Sequence, residues 1–188
     1  MHVTREALRG TRSARDEAKE TILDLIAAAG GVLHGKVRLH KAFYAAHLYY
    51  WKDGEGVLTT HPIVRLPHGP FIDDAERLLG ELVSDGEITV DFAPAGPFQE
   101  SVYRLESKRP VERHTARGRA IYQAVDFVLS RSASELSDLT HEHSISWQTT
   151  ENGREQDIYL DVLPAEELAE MRQLIQEARD HGGVAVGR

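Results

Sequence analysis

Phe71-Ile-Asp-Asp-Ala-Glu-Arg-Leu-Leu-Gly-Glu-Leu-Val-Ser84, followed by Asp85-Gly86-Glu-Ile-Thr-Val-Asp-Phe92, is the stretch in which the chain changes its periodicity. Ile72, Ala75, Leu78, Leu79 and Leu82 recur at helical spacing, which predicts a helix over Phe71–Ser84. Asp85-Gly86 turns the chain, and Ile88, Val90 and Phe92 then alternate with polar residues as a half-buried strand does. Pro94-Ala-Gly-Pro97 reads as a loop and Gln99–Leu105 as a second strand that pairs back on the first. A helix handing over to a hairpin places the chain in a mainly α class with a small two-stranded antiparallel hairpin.

Working outward, helical patterns dominate. Ile22, Leu25, Ile26 and Ala29 predict a first helix over 14–29, stopped by Gly30-Gly31. Leu39, Phe43, Ala46 and Tyr50 stripe a second over 37–52, with Tyr44, His47 and Leu48 on flanking faces. Pro62, Pro67 and Pro70 mark an irregular stretch with at most a short strand around Ile63–Arg65. A fourth helix over 115–130 buries Ile121, Ala124, Val125 and Val128, and Ser132 with Glu135 forms a capping-box pattern for a short fifth. Pro164 opens a sixth helix with Leu168, Met171, Leu174 and Ile175 inward. One domain over 13–181 is expected, with a flexible N-terminal tail over 1–12 and a C-terminal tail over 182–188.

Composition narrows the function. The chain has 188 residues, no cysteine and a formal net charge of −8. Disulfides and thiol nucleophiles are therefore excluded. No apolar run approaches a membrane span, and Met1–Arg15 lacks the apolar core of a secretory signal, so a cytoplasmic protein with no membrane partner is expected. An acidic chain does not coat nucleic acid, because such binding rests on neutralising phosphates with Lys and Arg. The basic segment with Arg104, Lys108, Arg109, Arg113, Arg117 and Arg119 reads either as a patch for an acidic partner or as a solvated helix start.

Catalytic and metal patterns are weak. His141 and His143 flank Glu142, but i and i+2 side chains diverge on a helix, and His40 and His47 are two turns apart. No HExxH, G-x-S-x-G or P-loop pattern occurs, so neither a metal nor a cofactor is expected and the chain reads as a non-enzyme. Asp73 and Asp74 read as partners of a helix N-terminus. The order helix–helix–helix–strand–strand in the first half is that of a winged helix. However, about eighteen residues separate the second and third helices, where a helix-turn-helix has a turn of three or four. Asp73, Asp74, Glu76 and Glu81 also give the would-be recognition helix the wrong sign for phosphates, so a nucleic-acid partner is not expected.

Three segments, taken in order, resemble a known family: Leu39-His-Lys-Ala-Phe-Tyr-Ala-Ala-His-Leu-Tyr-Tyr50, Arg65-Leu-Pro-His-Gly-Pro-Phe71 and Leu136-Ser-Asp-Leu-Thr-His-Glu-His-Ser-Ile-Ser-Trp147. They are similar to the K-L-x-K-L-L-Y-x-A helix, the (Y/H)-G-P-(V/F) loop and the L-S-H-x-x-x-x-W segment of the Panacea, or SocA-like antitoxin, domain. The resemblance covers 18–163, with Leu39, Lys41, His68, Gly69, Pro70 and His141 as motif positions; His68 stands where Tyr is common. It implies an antitoxin, found also in phage and prophage contexts, that neutralises an adjacently encoded protein toxin by direct binding. One branch of the family delivers the toxin to an ATP-dependent protease; a protease adaptor or a transcriptional regulator of a phage or stress system is the alternative reading.

The motif residues divide by expected role. Gly69 permits a tight backbone, and Pro70 is expected to start the third helix. Trp147 closes the core or meets a partner, and the Tyr44, His47 and Leu48 face is the candidate partner surface. His141 is expected to hydrogen-bond to the Gly-Pro loop and hold two motifs together.

Overall fold

The computed structural model describes residues 13–181; the expected tails over 1–12 and 182–188 lie outside them. Ser13 caps the first helix, α1 (Ala14–Ala28), its hydroxyl accepting from the Asp16 amide at 3.1 Å. Gly30 and Gly31 end it at φ +83° and +88°, a region that only glycine enters without strain. The next strand, β1 (Val32–His34), leads into α2 (Lys36–Lys52). Nine consecutive residues of α2, Leu39 to His47, are buried, so this helix has no outward face over that span. It is the axis of the molecule, with α1, β1, α4 (Ala116–Leu129) and α5 (Ala133–His143) packed around it.

Between α2 and α3 (Ala75–Ser84) the chain forms a hairpin, β2 (Ile63–Leu66) and β3 (Gly69–Ile72), turning at Pro67-His68. This corrects the expected helix start. Phe71 and Ile72 pair with Val64 and Ile63, and Pro70 lies in a strand opposite Arg65. Helix α3 begins only after Asp74, whose φ of +49° separates strand from helix. The other side of β2 is met by a later segment through a bridge from Val64 to Glu155, and the Gln156 amide donates to the Ile63 carbonyl at 2.7 Å.

The expected hairpin is β4 (Ile88–Ala95) with β5 (Phe98–Leu105), and β1 adds a third strand, giving the order β1-β5-β4. Leu33 and Val90 both register with Tyr103, which is buried. The distal half of the hairpin outruns the three-residue β1, so Phe92 and Phe98 are 68% and 75% exposed; the alternation that suggests burial of Phe92 continues past the body that could bury it. The chain is thus a mixed α+β domain with helices predominating.

Thr115 caps α4, and Ser132 with Glu135 forms the capping box of α5. A short helix not evident from the sequence, α6 (Ile145–Thr149), and a 3-10 turn, Ile158–Asp161, precede α7 (Ala165–His181). Leu174 of α7, expected inward, is 63% exposed. Three arginines of the basic segment bind the chain's own carboxylates. Arg109 bridges Asp24 and Glu20, Arg117 bonds Asp24 at 2.8 Å, and Arg119 bonds Asp53 at 2.7 Å. Among the described residues no helix is long and apolar enough to cross a membrane.

Candidate functional site

Lys41 points from the middle of α2 at the β2–β3 turn, where its Nζ donates to the His68 carbonyl at 2.5 Å. It is 1% exposed and has no ion-pair partner among the described residues, so burial lowers its pKa from 10.5 to about 7. The Ser137 hydroxyl of α5 donates to the same carbonyl at 3.2 Å. Gly69 has φ +105°, and a Cβ there would lie 1.8 Å from Lys41 Nζ and 2.6 Å from Thr140 Oγ1. Glycine is therefore required for two helices to close on the turn.

The turn is held from its other side. Trp147 Nε1 donates to the Leu66 carbonyl at 2.9 Å, and Arg65 returns a bond from Nε to the Trp147 carbonyl at 3.1 Å. The Arg65 guanidinium lies 4.4 Å from the indole centroid, a cation–π contact. His141 stacks on Trp147 with centroids 4.0 Å apart and planes 20° from parallel. Burial lowers the His141 pKa, with the Lys41 charge adding to the effect and the Pro67 carbonyl opposing it. Its neighbours thus lie in both motifs, with stacking on Trp147 as its principal contact. One residue before Lys41, His40 Nδ1 accepts from the Ile72 amide at 3.1 Å and its ring lies 4.1 Å from that of Phe71. The three segments quoted above therefore meet in one joint.

A second polar cluster adjoins it. The Tyr44 hydroxyl donates to Asp161 Oδ2 at 2.5 Å, Ser144 Oγ donates to the same oxygen at 2.9 Å, and Ser146 bonds Asp161 through both amide and hydroxyl. Burial, with the neighbouring Asp161 charge, holds the Tyr44 phenol well above its ordinary pKa. Ser144 Oγ also accepts from the Trp147 amide at 3.0 Å, capping α6. No imidazole bonds either serine among the described residues; both hydroxyls donate to the one carboxylate, Asp161. Beside it lies a cavity of about 400 Å³ lined by Lys41, Leu48, Arg131, His143, Asp161 and Arg172, in which cationic and neutral side chains outnumber the single carboxylate.

Of the expected partner face, Tyr44 and His47 are 5% and 2% exposed, which makes them core residues; neither offers a surface to a partner in this conformation. Leu48 is half-buried on the cavity wall and Trp147 half-buried in the joint. Leu39 is fully buried, whereas His68 is exposed at the turn. Sequence reading missed Arg65 and Asp161. Arg65 lies inside a quoted motif and within β2, but a lone arginine does not disclose an indole partner 82 residues away. Asp161 carries no local signal, since its role depends on three residues from two other elements. Among the described residues no group of three or more histidines and carboxylates is arranged to hold a metal ion. No family model, curated protein or solved structure matches the chain.

Proposed function

We propose that the chain is an antitoxin that neutralises a cognate, adjacently encoded protein toxin by direct binding through its folded surface. The observation that carries this reading is the joint at the β2–β3 turn. Lys41, Gly69, His141 and Trp147 come from the three segments that resemble the antitoxin domain, and they contact one turn and one another. Segments scattered over more than a hundred residues acquire a common physical purpose in this way, as a shared domain architecture requires.

The motif residues hold the scaffold, which favours a recognition surface elsewhere on the molecule. The exposed aromatics Phe92 and Phe98 at the end of the β4–β5 hairpin suit that task, because aromatic side chains concentrate interface energy. Nucleic acid is a poor partner for the corresponding surface of α3: Glu81 pairs with Arg15 at 2.7 Å, and Glu76 pairs with Lys36 at 3.2 Å while remaining exposed.

Co-expression with the product of the adjacent reading frame tests the proposal. Growth rescue together with co-purification is the expected result; a harmless neighbour, or a toxic one that neither binds nor is rescued, would contradict it. Rescue that vanishes when an ATP-dependent protease is removed would move the chain to the adaptor branch.

A further inference from the structure

Strand β4 lies at the edge of its sheet, with no strand on its outer side among the described residues. The hydrogen bonds of β5 fix which of its backbone groups face that side. The Leu105 amide donates to the Gly31 carbonyl at 3.0 Å and the Ser101 carbonyl accepts from the Gly35 amide at 2.8 Å, so Ser101, Tyr103 and Leu105 address β1. Their register partners in β4 are Phe92, Val90 and Ile88, whose amides and carbonyls therefore point away from β5. Among the described residues no hydrogen bond reaches these six groups.

Exposed edges are ordinarily blunted by lysines, prolines, bulges or brevity. From Ile88 to Ala93 this edge has none of them. It pairs residue for residue with β5 throughout, and Pro94 comes only toward the hairpin tip, where its missing N–H also faces the open side.

We propose that the open edge of β4 pairs antiparallel with β4 of a second copy of the chain, about a two-fold axis at Val90, joining the two three-stranded sheets into one. Outward-facing residues must meet outward-facing residues, which leaves few registers, and charge selects among them. With Val90 on Val90 of the second copy, Ile88 meets Phe92, Thr89 meets Asp91 and Glu87 meets Ala93. All six outward groups are then bonded and no like charges are opposed. Slipping one way sets Asp91 against Asp91 and Ile88 against Pro94, which has no N–H to give. Slipping the other way sets Glu87 against Asp91. The contact is isologous, the same strand serving both copies, so the edge is its own complement. Alternation puts Phe92 on the same face as the buried Ile88, and the pairing lays its 68%-exposed ring beside Ile88 of the second copy, where it loses water.

Strand pairing alone buries less than the roughly 1,200–2,000 Å² of a stable complex, so the dimer should dissociate on dilution. Amide NMR of the full chain from micromolar to about millimolar concentration tests it. The Ile88, Val90 and Phe92 amides are expected to shift and to exchange more slowly as concentration rises, whereas those of Thr89 and Asp91 are protected by β5 throughout. Phe92→Pro removes an outward N–H, leaves the β4–β5 ladder intact and should weaken the dimer about tenfold with the native amide spectrum kept. Thr89→Glu sets a carboxylate against Asp91 of the second copy and should weaken it about threefold to tenfold; Thr89→Lys should tighten it by a similar factor. Thr89 also registers with Arg104, so both substitutions act on the hairpin itself in the opposite sense, which separates pairing from folding. A chain that stays monomeric at about 1 mM would overturn the proposal. So would a dimer that Phe92→Pro leaves intact, or one that the two Thr89 substitutions affect alike, since its interface or register would be another. Toxin neutralisation is measured separately, so failure of this pairing leaves the antitoxin reading to its own test.

Discussion

Lys41 buries an ammonium group against a carbonyl with no carboxylate to balance it, and this makes stability depend on pH in a defined direction. Between about 7, its folded value, and 10.5, its ordinary value, the unfolded chain holds a proton that the folded chain lacks. The Lys41 contribution is therefore present in full above the ordinary value and is lost as pH falls toward about 7. Lys41→Met should flatten the rise in stability between about pH 7 and the onset of tyrosine ionisation near 10, measured by urea unfolding across that range. His40 and His47, both lowered to about 3 by burial, act in the same sense at acid pH. Their contributions are lost as pH falls from 6.5 toward 3, and His47→Phe should make that loss shallower. Gly69→Ala introduces a methyl group at φ +105° and 1.8 Å from Lys41 Nζ. A destabilisation of about 2–4 kcal/mol is expected, from backbone strain and overpacking together. An unfolding midpoint equal to that of the parent would show that the turn is not held as described.

At the scale of elements, what was legible in the sequence was what local chemistry determines. The capping box at Ser132, the glycine stop after α1 and the β4–β5 alternation act within a few residues, and all appear where expected. The β2–β3 hairpin was only half legible. Ile72 and Ala75 share a helical period with Leu78, so the pattern extends α3 backward through residues whose strand pairing with Ile63–Leu66 is non-local. The burial of Tyr44 was equally hidden, because it depends on Asp161 arriving from 117 residues away. Trp147→Phe removes the donor to the Leu66 carbonyl while keeping most of the ring, and should cost about 1–3 kcal/mol. The double substitution Phe92→Ser with Phe98→Ser lies at exposed hairpin positions and should change stability by no more than about 0.5 kcal/mol. That combination of intact folding and lost partner binding is the signature expected of the hairpin tip; retained binding would place recognition on another surface.

Across the whole molecule, part of the basic segment proves to be engaged internally. The arginines that could have met an acidic partner clamp the 109–119 segment onto α1 and Asp53. What remains exposed and apolar is the hairpin tip, with Val83, Leu129, Tyr159 and Leu174 dispersed over other elements. A rigid body knit by a buried joint and carrying an aromatic projection fits a protein that acts by binding through a folded surface. The most direct measurement of that claim is light scattering on a size-exclusion column, with this chain and the product of the adjacent reading frame loaded separately and together. A stable stoichiometric complex whose formation abolishes the neighbour's toxicity, and which the hairpin double variant fails to form, is the expected result. Two independent peaks at micromolar concentration, with toxicity unchanged, would contradict it.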